Sequence, residues 1–506
     1  MTRFLLIVIL IVAVILRVSQ LSTNPPGFFC DEVSVGYNAY LIAHTGKDEW
    51  QHTFPIFFKA FGEYRNPLEV YSAIPAVELF GISPFAVRIT SAIFSTGTVL
   101  SMYLIGSIMN PWLGLILAAI TTITPWSVHI GRTGFVAENI YLFCISVSLY
   151  CLLRSKDTHR YIIFFFISCV IGIYSYFSAY IIYPFIVVGG IIYLWQKSPK
   201  KYLFAGLILF YAFTIPLSRH IWKGDGIKRY EQVSLLHANS NPIHKFALSY
   251  VLHFSPDYLF VSGDTGSVTR HSFQHIGQFY VWGMPGLLLG VYFVWKRKTG
   301  IGRLLVLLLI IYPIPSSITS DITPLATRSI MGIVPFTYLI GYGYFELTGV
   351  LKRRVNTLYA WILICFLSFV FIVSGIHIRY KISTYGHETG GYEGWQYGMK
   401  ESIVYLKEHE KEYDMLYITH RFNSPRELLQ FYNRTYNCQK CRIMPNPIVI
   451  DRYHKQLYAI RKEDIEEAYQ QYEDVEFVKL NTIRDPGKIA QLFIGYFIFT
   501  STYSEK

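Results

Sequence analysis

The sequence is poor in charge and lacks the composition of a soluble enzyme. Only 15% of its 506 residues are charged, whereas 52% are hydrophobic and 17% are aromatic. Soluble domains usually carry about 25% charged residues, so the composition excludes an ordinary soluble protein and predicts a lipid bilayer as the main solvent. The net charge of +12 does not indicate a nucleic-acid partner, because the cations lie in short runs between apolar segments, where they report membrane orientation.

Cysteine is too scarce for a disulfide framework. Cys438 and Cys441 form one Cys-Gln-Lys-Cys pair in the polar C-terminal part. A local disulfide, or two ordinary thiols, is favoured over a zinc site, because the sequence has no second pair at metal-ligand spacing. The cysteines within apolar segments are interpreted as small core hydrophobes: Cys144, Cys151, Cys169 and Cys365.

Long apolar runs are abundant. A transmembrane helix needs about 20 apolar residues, and about eleven apolar segments are candidates for spans. The first, from Phe4 to Leu21, has no small-residue cleavage site and runs into Pro25 and Pro26, so it is interpreted as a retained helix and not as a signal peptide. The others are residues 85–108, 112–126, 137–153, 162–174, 179–195, 203–217, 279–295, 304–318, 330–347 and 358–374.

Alternate connections between these segments are basic, as expected of cytoplasmic loops. They all fall on the side of Arg3, which predicts a multi-pass protein of the cell membrane with a cytoplasmic N-terminus. Three long segments then lie on the outer side: 22–84, 219–278 and the residues after Gly375. The basic connections contain Arg154, Lys156 and Arg160; Lys197, Lys200 and Lys201; Lys296, Arg297, Lys298 and Arg303; and Lys352, Arg353 and Arg354.

Composition changes abruptly after the last apolar run. We expect residues 1–377 to form a helical membrane domain and residues 378–506 to form an extracytoplasmic α/β domain. The elements predicted in the second domain are strands 415–419 and 490–500 and helices 425–432 and 463–472, the first helix being opened by Ser424.

The first of three polar clusters at predicted outer helix ends follows the first apolar run. Asp31 and Glu32 are adjacent carboxylates in an otherwise aromatic and apolar setting. Charge near lipid is costly, so a functional role is the default hypothesis. Neighbouring carboxylates usually point in different directions, and we expect one of the two to carry acid–base chemistry. A structural alternative, compatible with the first, is a helix over 33–43 capped by Asp31 with Glu32 in its first turn.

The other two clusters supply a further acid and several cations. His129, Arg132 and Glu138 lie where the third apolar run ends and the fourth begins. Arg132 and Glu138 can be interfacial anchors or an ion pair, but a carboxylate beside the membrane needs a partner. Arg65 and Arg328 are outer arginines that oppose the orientation bias, and guanidinium suits bidentate phosphate recognition, with unspecific lipid headgroup contact as the alternative. These clusters predict a pocket for a phosphate leaving group beside a general base.

In order and sidedness, these motifs resemble the polyprenyl-phosphate-sugar glycosyltransferases of the GT-C fold, typified by protein O-mannosyltransferases and the aminoarabinose transferases that modify lipid A. The resemblance covers the N-terminal third well and the later spans thinly. Its motifs are Phe29-Cys30-Asp31-Glu32, Arg65-Asn66-Pro67-Leu68, Leu79-Phe80-Gly81, Ala86-Val87-Arg88-Ile89, Pro125 through Glu138 with its His-x-x-Arg core, and Thr327-Arg328-Ser329 with Pro335.

The resemblance implies roles for these residues. Asp31, with Glu32 beside it, looks like the catalytic base of the first outer loop, and Glu138 occupies the place of the family's second acidic residue, which is commonly Asp. Arg65 and Arg328 stand where family members contact the lipid phosphate, with Arg132 as a further phosphate-binding candidate.

The chain also departs from the family next to the first of these arginines. The family often has Pro-Pro directly after the cation, whereas Asn66 intervenes here. This departure bears on how the donor is held more than on the reaction class.

The implied activity is transfer of a sugar from a polyprenyl-phosphate donor to the hydroxyl of a protein, lipid or glycan acceptor. No cofactor is certain. A divalent cation, Mg²⁺ or Mn²⁺, could bridge Asp31 or Glu138 to phosphate with His129 as a ligand, although a single interfacial histidine is more often structural.

Two other classes compete with this interpretation. A lipid or solute transporter or flippase predicts mid-span charges and inverted repeats, whereas here the charges gather at outer helix ends. A non-catalytic scaffold does not explain the presence of Asp31, Glu138 and Arg328.

Overall fold

The computed structural model of the chain is mostly helical. The structure describes residues 1–195, 198–237, 241–266, 269–297, 300–321, 323–388, 394–487 and 491–500. Lys197 and Lys298, which belong to the predicted basic connections, lie outside these ranges.

The helices are labelled in chain order. They are α1 Thr2–Val18, α2 Cys30–Thr45, α3 Pro67–Phe80, α4 Pro84–Ser107, α5 Pro111–Ile123, α6 Pro125–Arg132, α7 Val136–Arg154, α8 Tyr161–Ile173, α9 Phe177–Leu194, α10 Lys200–Trp222, α11 Lys228–Val233, α12 Pro242–Leu252, α13 Gly283–Arg297, α14 Gly300–Ile311, α15 Ile314–Ser317, α16 Ile333–Val350, α17 Thr357–Glu388, α18 Met399–Glu408, α19 Pro425–Tyr436 and α20 Lys462–Gln471.

Apolar helices confirm a multi-pass membrane protein. Within the described ranges, seven helical stretches are long and apolar enough to cross a membrane, or eight if the bent pair α5 and α6 counts as one span. The count of about eleven is not confirmed, because α1, α8 and α13 have only 17, 13 and 15 residues. The sidedness of the loops stays a prediction.

The predicted span at 112–126 is a broken helix. Helix α5 ends at Ile123, and α6 starts at Pro125 with its axis bent by 60°. Proline has no N–H and disfavours helical backbone in the residue before it. Thr124 accordingly has φ −58° and ψ 123°, so the chain changes direction there.

A buried arginine satisfies the polar groups that this break leaves in the protein interior. Arg17 of α1 has no exposed surface. Its guanidinium donates to the carbonyl oxygens of Thr121 and Thr122, at 3.2 and 3.3 Å, and to the hydroxyls of Ser95 and Ser127, at 2.7 and 2.8 Å. The last carbonyls of a helix have no partner inside the helix, and Arg17 provides one for α5.

The chain forms two compact units. The helical unit comprises Met1–Leu21, Thr45–Ala73 and Val87–Ile382. The C-terminal unit comprises Ser22–His44, Ile74–Ala86 and the described part of Ser383–Lys506. Most of α2, including Asp31, therefore belongs to the C-terminal unit, although it comes early in the sequence.

Two sheets accompany the helices. In the helical unit, β1 (Phe58–Ala60) and β2 (Glu63–Arg65) form an antiparallel hairpin. In the C-terminal unit, a five-stranded sheet has the order β4-β3-β5-β7-β6, parallel from β4 to β5 and antiparallel across β7 and β6. Its strands are β3 Met415–Ile418, β4 Cys441–Ile443, β5 Gln456–Ile460, β6 Val475–Arg484 and β7 Gln491–Phe499.

The sheet confirms the predicted C-terminal α/β domain. The four predicted elements correspond to β3, α19, α20 and β7. Ser424 precedes α19, but its side chain makes no cap hydrogen bond, so its predicted capping role is wrong. Pro425 starts the helix instead, since its fixed φ suits the first helical position. Cys438 and Cys441 form a disulfide, which fits the predicted outer location because disulfides persist in oxidising compartments.

We expect Arg17→Met to destabilise the protein. Methionine fills a similar length but cannot donate, so the carbonyls and hydroxyls around it lose their partner at about 1–3 kcal/mol for each group left unsatisfied. Thermal unfolding of the purified protein in detergent should occur at a clearly lower temperature. Arg3→Met, at the exposed start of the same helix, is the control, and equal melting temperatures for the two variants would refute the bracing role of Arg17.

Candidate active site

The carboxylate pair lies in the first turn of α2. Cys30 is already helical, so Asp31 does not cap the helix and that expectation is wrong. Glu32 is buried, and its Oε2 accepts a hydrogen bond from the backbone N–H of Phe29 at 3.0 Å. Asp31 is half-buried. Of the two predicted catalytic carboxylates, Glu32 thus supports the start of the helix, and Asp31 is the more accessible.

His129 and Arg132 of α6 both bond to backbone oxygens. Nη2 of the buried Arg132 donates to the carbonyl of Ser19 at 2.6 Å. Nε2 of His129 lies 2.8 Å from the carbonyl of Arg270, and because a carbonyl only accepts, this nitrogen carries the proton. Both residues therefore attach the bent helix α6 to neighbouring segments of the chain. The proposed phosphate contact of Arg132 stays a prediction.

Across the described residues, no group of three His, Cys, Asp or Glu side chains lies close enough together to hold a metal ion. A divalent cation that bridges Asp31 or Glu138 to phosphate stays a prediction.

Arg65 is tied into the helical unit. It is buried at the end of β2, and its Nη1 lies 3.2 Å from Oε2 of Glu69. The neighbouring Asn66 accepts a hydrogen bond from the Tyr180 hydroxyl at 2.5 Å. This bond gives a structural reason for the asparagine that separates Arg65 from Pro67. The predicted phosphate contact of Arg65 would have to compete with Glu69.

Glu138 and Arg328 share the surroundings of one tyrosine. Tyr176 immediately precedes α9 and bonds to the side chain of Thr327. Burial raises the pKa of Tyr176 and the carboxylate of Glu138 raises it further, whereas the guanidinium groups of Arg328 and Arg229 lower it. All three charges therefore act on the same hydroxyl, which places the predicted second acid and the predicted late arginine in one polar cluster of the helical unit.

This arrangement follows from where the helices start. Glu138 is in the first turn of α7, Tyr176 precedes α9, and Arg328 lies shortly before α16. The predicted topology has all three helices run inward from the outer side, so their starts meet at one level. Arg328 is half-buried with 17% of its side chain exposed, and burial lowers the pKa of its guanidinium. A partly desolvated cation that still reaches the surface is suited to bind an anion. Its Nη1 lies 3.4 Å from Oδ2 of Asp321, so an anionic ligand would have to compete with this carboxylate.

Two further residues of the cluster were not predicted from the sequence. Nη1 of Arg229 in α11 is 3.3 Å from Oε2 of Glu63, and this ion pair joins the loop between α10 and α13 to β2. His271 is held neutral: burial lowers its pKa well below the ordinary value, and the nearby cations Arg270, Arg328 and Arg229 act in the same direction. The cluster is therefore cationic through its arginines.

A buried carboxylate shapes the segment before Arg328. Asp264 is 4% exposed, and its two oxygens accept from the backbone N–H groups of Gly266 at 3.0 Å and Ala326 at 2.8 Å. Ala326 is two residues from Arg328. Asp264 thus fixes the approach of the chain to the arginine.

Solved structures share the architecture of this chain. The crystal structure of ArnT from Cupriavidus metallidurans bound to undecaprenyl phosphate matches with a TM-score of 0.55 and 11% identity, over 97% of this chain and 97% of that chain. The oligosaccharyltransferase AglB from Archaeoglobus fulgidus, in complex with an inhibitory peptide and a dolichol-phosphate, matches with a TM-score of 0.52 and 13% identity, over 87% of this chain and 64% of that chain. The chain has the GT-C fold, which confirms the fold that the resemblance implied.

The sequence matches a known family over only part of its length. Residues 67–218 match the family model described as dolichyl-phosphate-mannose-protein mannosyltransferase. The segment includes Glu138 and Tyr176 but neither Asp31 nor Arg328. Comparison with curated protein sequences gives no match.

We expect the buried Asp264 to make stability depend on pH. Burial raises its pKa from 3.8 to about 6 in the folded protein, so the folded state binds this proton more tightly than the unfolded state. Stability should therefore fall as pH rises from about 4 to about 6. In Asp264→Asn this part of the decrease should disappear from melting curves recorded across that range. The exposed Glu231→Gln should retain the wild-type slope, and an unchanged slope in Asp264→Asn would contradict the assignment.

Proposed function

We propose that the protein transfers a sugar from a polyprenyl-phosphate donor to an acceptor hydroxyl at the outer face of the cell membrane. The polar cluster of the helical unit, which contains Glu138, Tyr176, Arg229 and Arg328, supports this proposal most directly. Arg328, Arg229 and Glu138 all act on the hydroxyl of Tyr176. In a fold shared with ArnT, whose structure contains undecaprenyl phosphate, such a cluster suits a phosphate that gains charge as it leaves.

The reaction is a single displacement with inversion. The acceptor oxygen forms a bond to the anomeric carbon while the bond from that carbon to the phosphate oxygen breaks, and the electron pair leaves on polyprenyl phosphate. The acceptor proton passes to the carboxylate of Asp31. Arg328 stabilises the negative charge that develops on the phosphate, an effect that is strong in a partly desolvated site.

Glu138 takes a supporting role in this scheme. Its carboxylate acts on the same tyrosine hydroxyl as the guanidinium groups of Arg328 and Arg229, with the opposite sign of charge. It is suited to orient a sugar hydroxyl or an arginine of the cluster, whereas the displacement itself needs only one base.

The test of this function is donor turnover. Purified protein would be incubated with polyprenyl phosphates carrying different hexoses or pentoses, and release of free polyprenyl phosphate would be measured with and without Mg²⁺, Mn²⁺ or EDTA. We expect saturable release with one sugar class, and a large reduction in Arg328→Gln. Movement of an intact lipid-linked sugar across vesicles, with no cleavage of any donor, would instead support a flippase and overturn the proposal.

Asp31→Asn should remove most turnover, because the amide cannot accept the proton. Loss of a well-placed base costs roughly 10²- to 10⁴-fold in rate, and the variant should still purify from the membrane fraction. Glu32→Gln keeps an oxygen that can accept from the Phe29 N–H, so its loss should be much smaller. Near-normal transfer by Asp31→Asn would exclude Asp31 as the base.

A further inference from the structure

The helix that carries Asp31 is built into the C-terminal unit. Just before α2, Gly27 lies against the backbone of residues 395–397. A Cβ at Gly27 would approach the carbonyl oxygen of Trp395 to 2.0 Å and the amide nitrogen of Tyr397 to 2.8 Å. Only glycine fits this approach, so the chain entering α2 rests directly on the C-terminal domain.

Side chains of α19 continue this contact. The rings of Phe28 and Phe431 are 4.9 Å apart, and both residues are almost fully buried. Arg434, one turn further along α19, places its guanidinium 5.7 Å from the ring centre of Tyr37 and 5.6 Å from that of Tyr40. Its Nη2 also donates to the Tyr37 hydroxyl at 3.4 Å. Cation–π attraction and this hydrogen bond join α19 to α2.

The face of α2 that α19 holds is the one turned away from Asp31. With about 100° of rotation per residue, Tyr37 and Tyr40 lie about 240° and 180° around the helix from Asp31. A contact at the back of a helix fixes the direction in which its front side chains point. Arg434 can therefore influence Asp31 without touching it.

We propose that Arg434 is a positioning residue for the base, and that the C-terminal domain sets the orientation of Asp31 through it. This inference rests on the proposed function and extends it, since the C-terminal domain becomes part of the catalytic apparatus. Arg434 is exposed, so replacing it leaves no buried cavity. Misplacement of a catalytic group by about 1 Å can cost about 100-fold in rate.

Kinetics of the full-length protein test the proposal. In Arg434→Gln, we expect kcat for sugar transfer to fall by about 10- to 100-fold, with the KM for the lipid donor and the melting temperature unchanged. Arg434→Lys keeps a cation over the two rings and should recover most of the rate. Arg426→Gln, an exposed arginine of the same helix, should behave as wild type. Wild-type kcat in Arg434→Gln, or an equal loss in Arg426→Gln, would overturn the inference.

A labelling experiment separates this inference from the transferase proposal. Asp31→Cys is introduced together with Cys365→Ser, because Cys365 is the exposed one among the free cysteines. The rate of maleimide labelling at position 31 is then compared with and without Arg434→Gln. We expect labelling to rise several-fold when the arginine is removed, and an unchanged rate would refute positioning even if no donor is ever cleaved. Absence of transfer by the wild type would defeat the proposed function alone.

Discussion

The guanidinium of Arg17 is the contact on which the helical unit depends. An apolar run that breaks at Thr124 leaves carbonyl groups that neither water nor the helix can satisfy. Arg17 bonds to Thr121 and Thr122 and to the serine that follows the break, so a 60° bend becomes tolerable in a buried place. The bend directs α6 and hence the start of α7, where Glu138 lies. A buried charge and a proline thus together position the acid of the polar cluster.

The cluster itself is assembled from chain segments that are far apart in sequence. Glu138 lies in the first turn of an apolar helix, Tyr176 and Arg328 lie shortly before two others, and Arg229 comes from the long loop between α10 and α13. Helix starts direct their unpaired N–H groups and positive dipole ends towards the same region. Arginines add to that potential, and carboxylates such as Asp264 hold the intervening segments through backbone N–H groups. The surface favours an anion for several independent reasons.

Sequence patterns predicted the general architecture and some of the site residues. Alternation of apolar runs and basic loops was sufficient to place Glu138 and Arg328 at one level, but their common partner Tyr176 depends on a tertiary contact with no local pattern. Strand β5 was missed because all five of its residues are buried, and a short apolar run does not distinguish strand from helix. Arg17 carried a usable signal, since an arginine inside an apolar run needs a partner.

The two groups of proposed catalytic residues belong to different compact units. The cations suited to a phosphate are held by the helical unit through ion pairs and loop contacts, whereas Asp31 lies on a helix fixed by Gly27, Phe28 and the aromatic rings around Arg434. Each unit therefore stabilises its own groups independently. In the proposed scheme, changes around Asp31 would lower turnover while donor binding persists, whereas changes at Arg328 would weaken both donor binding and turnover.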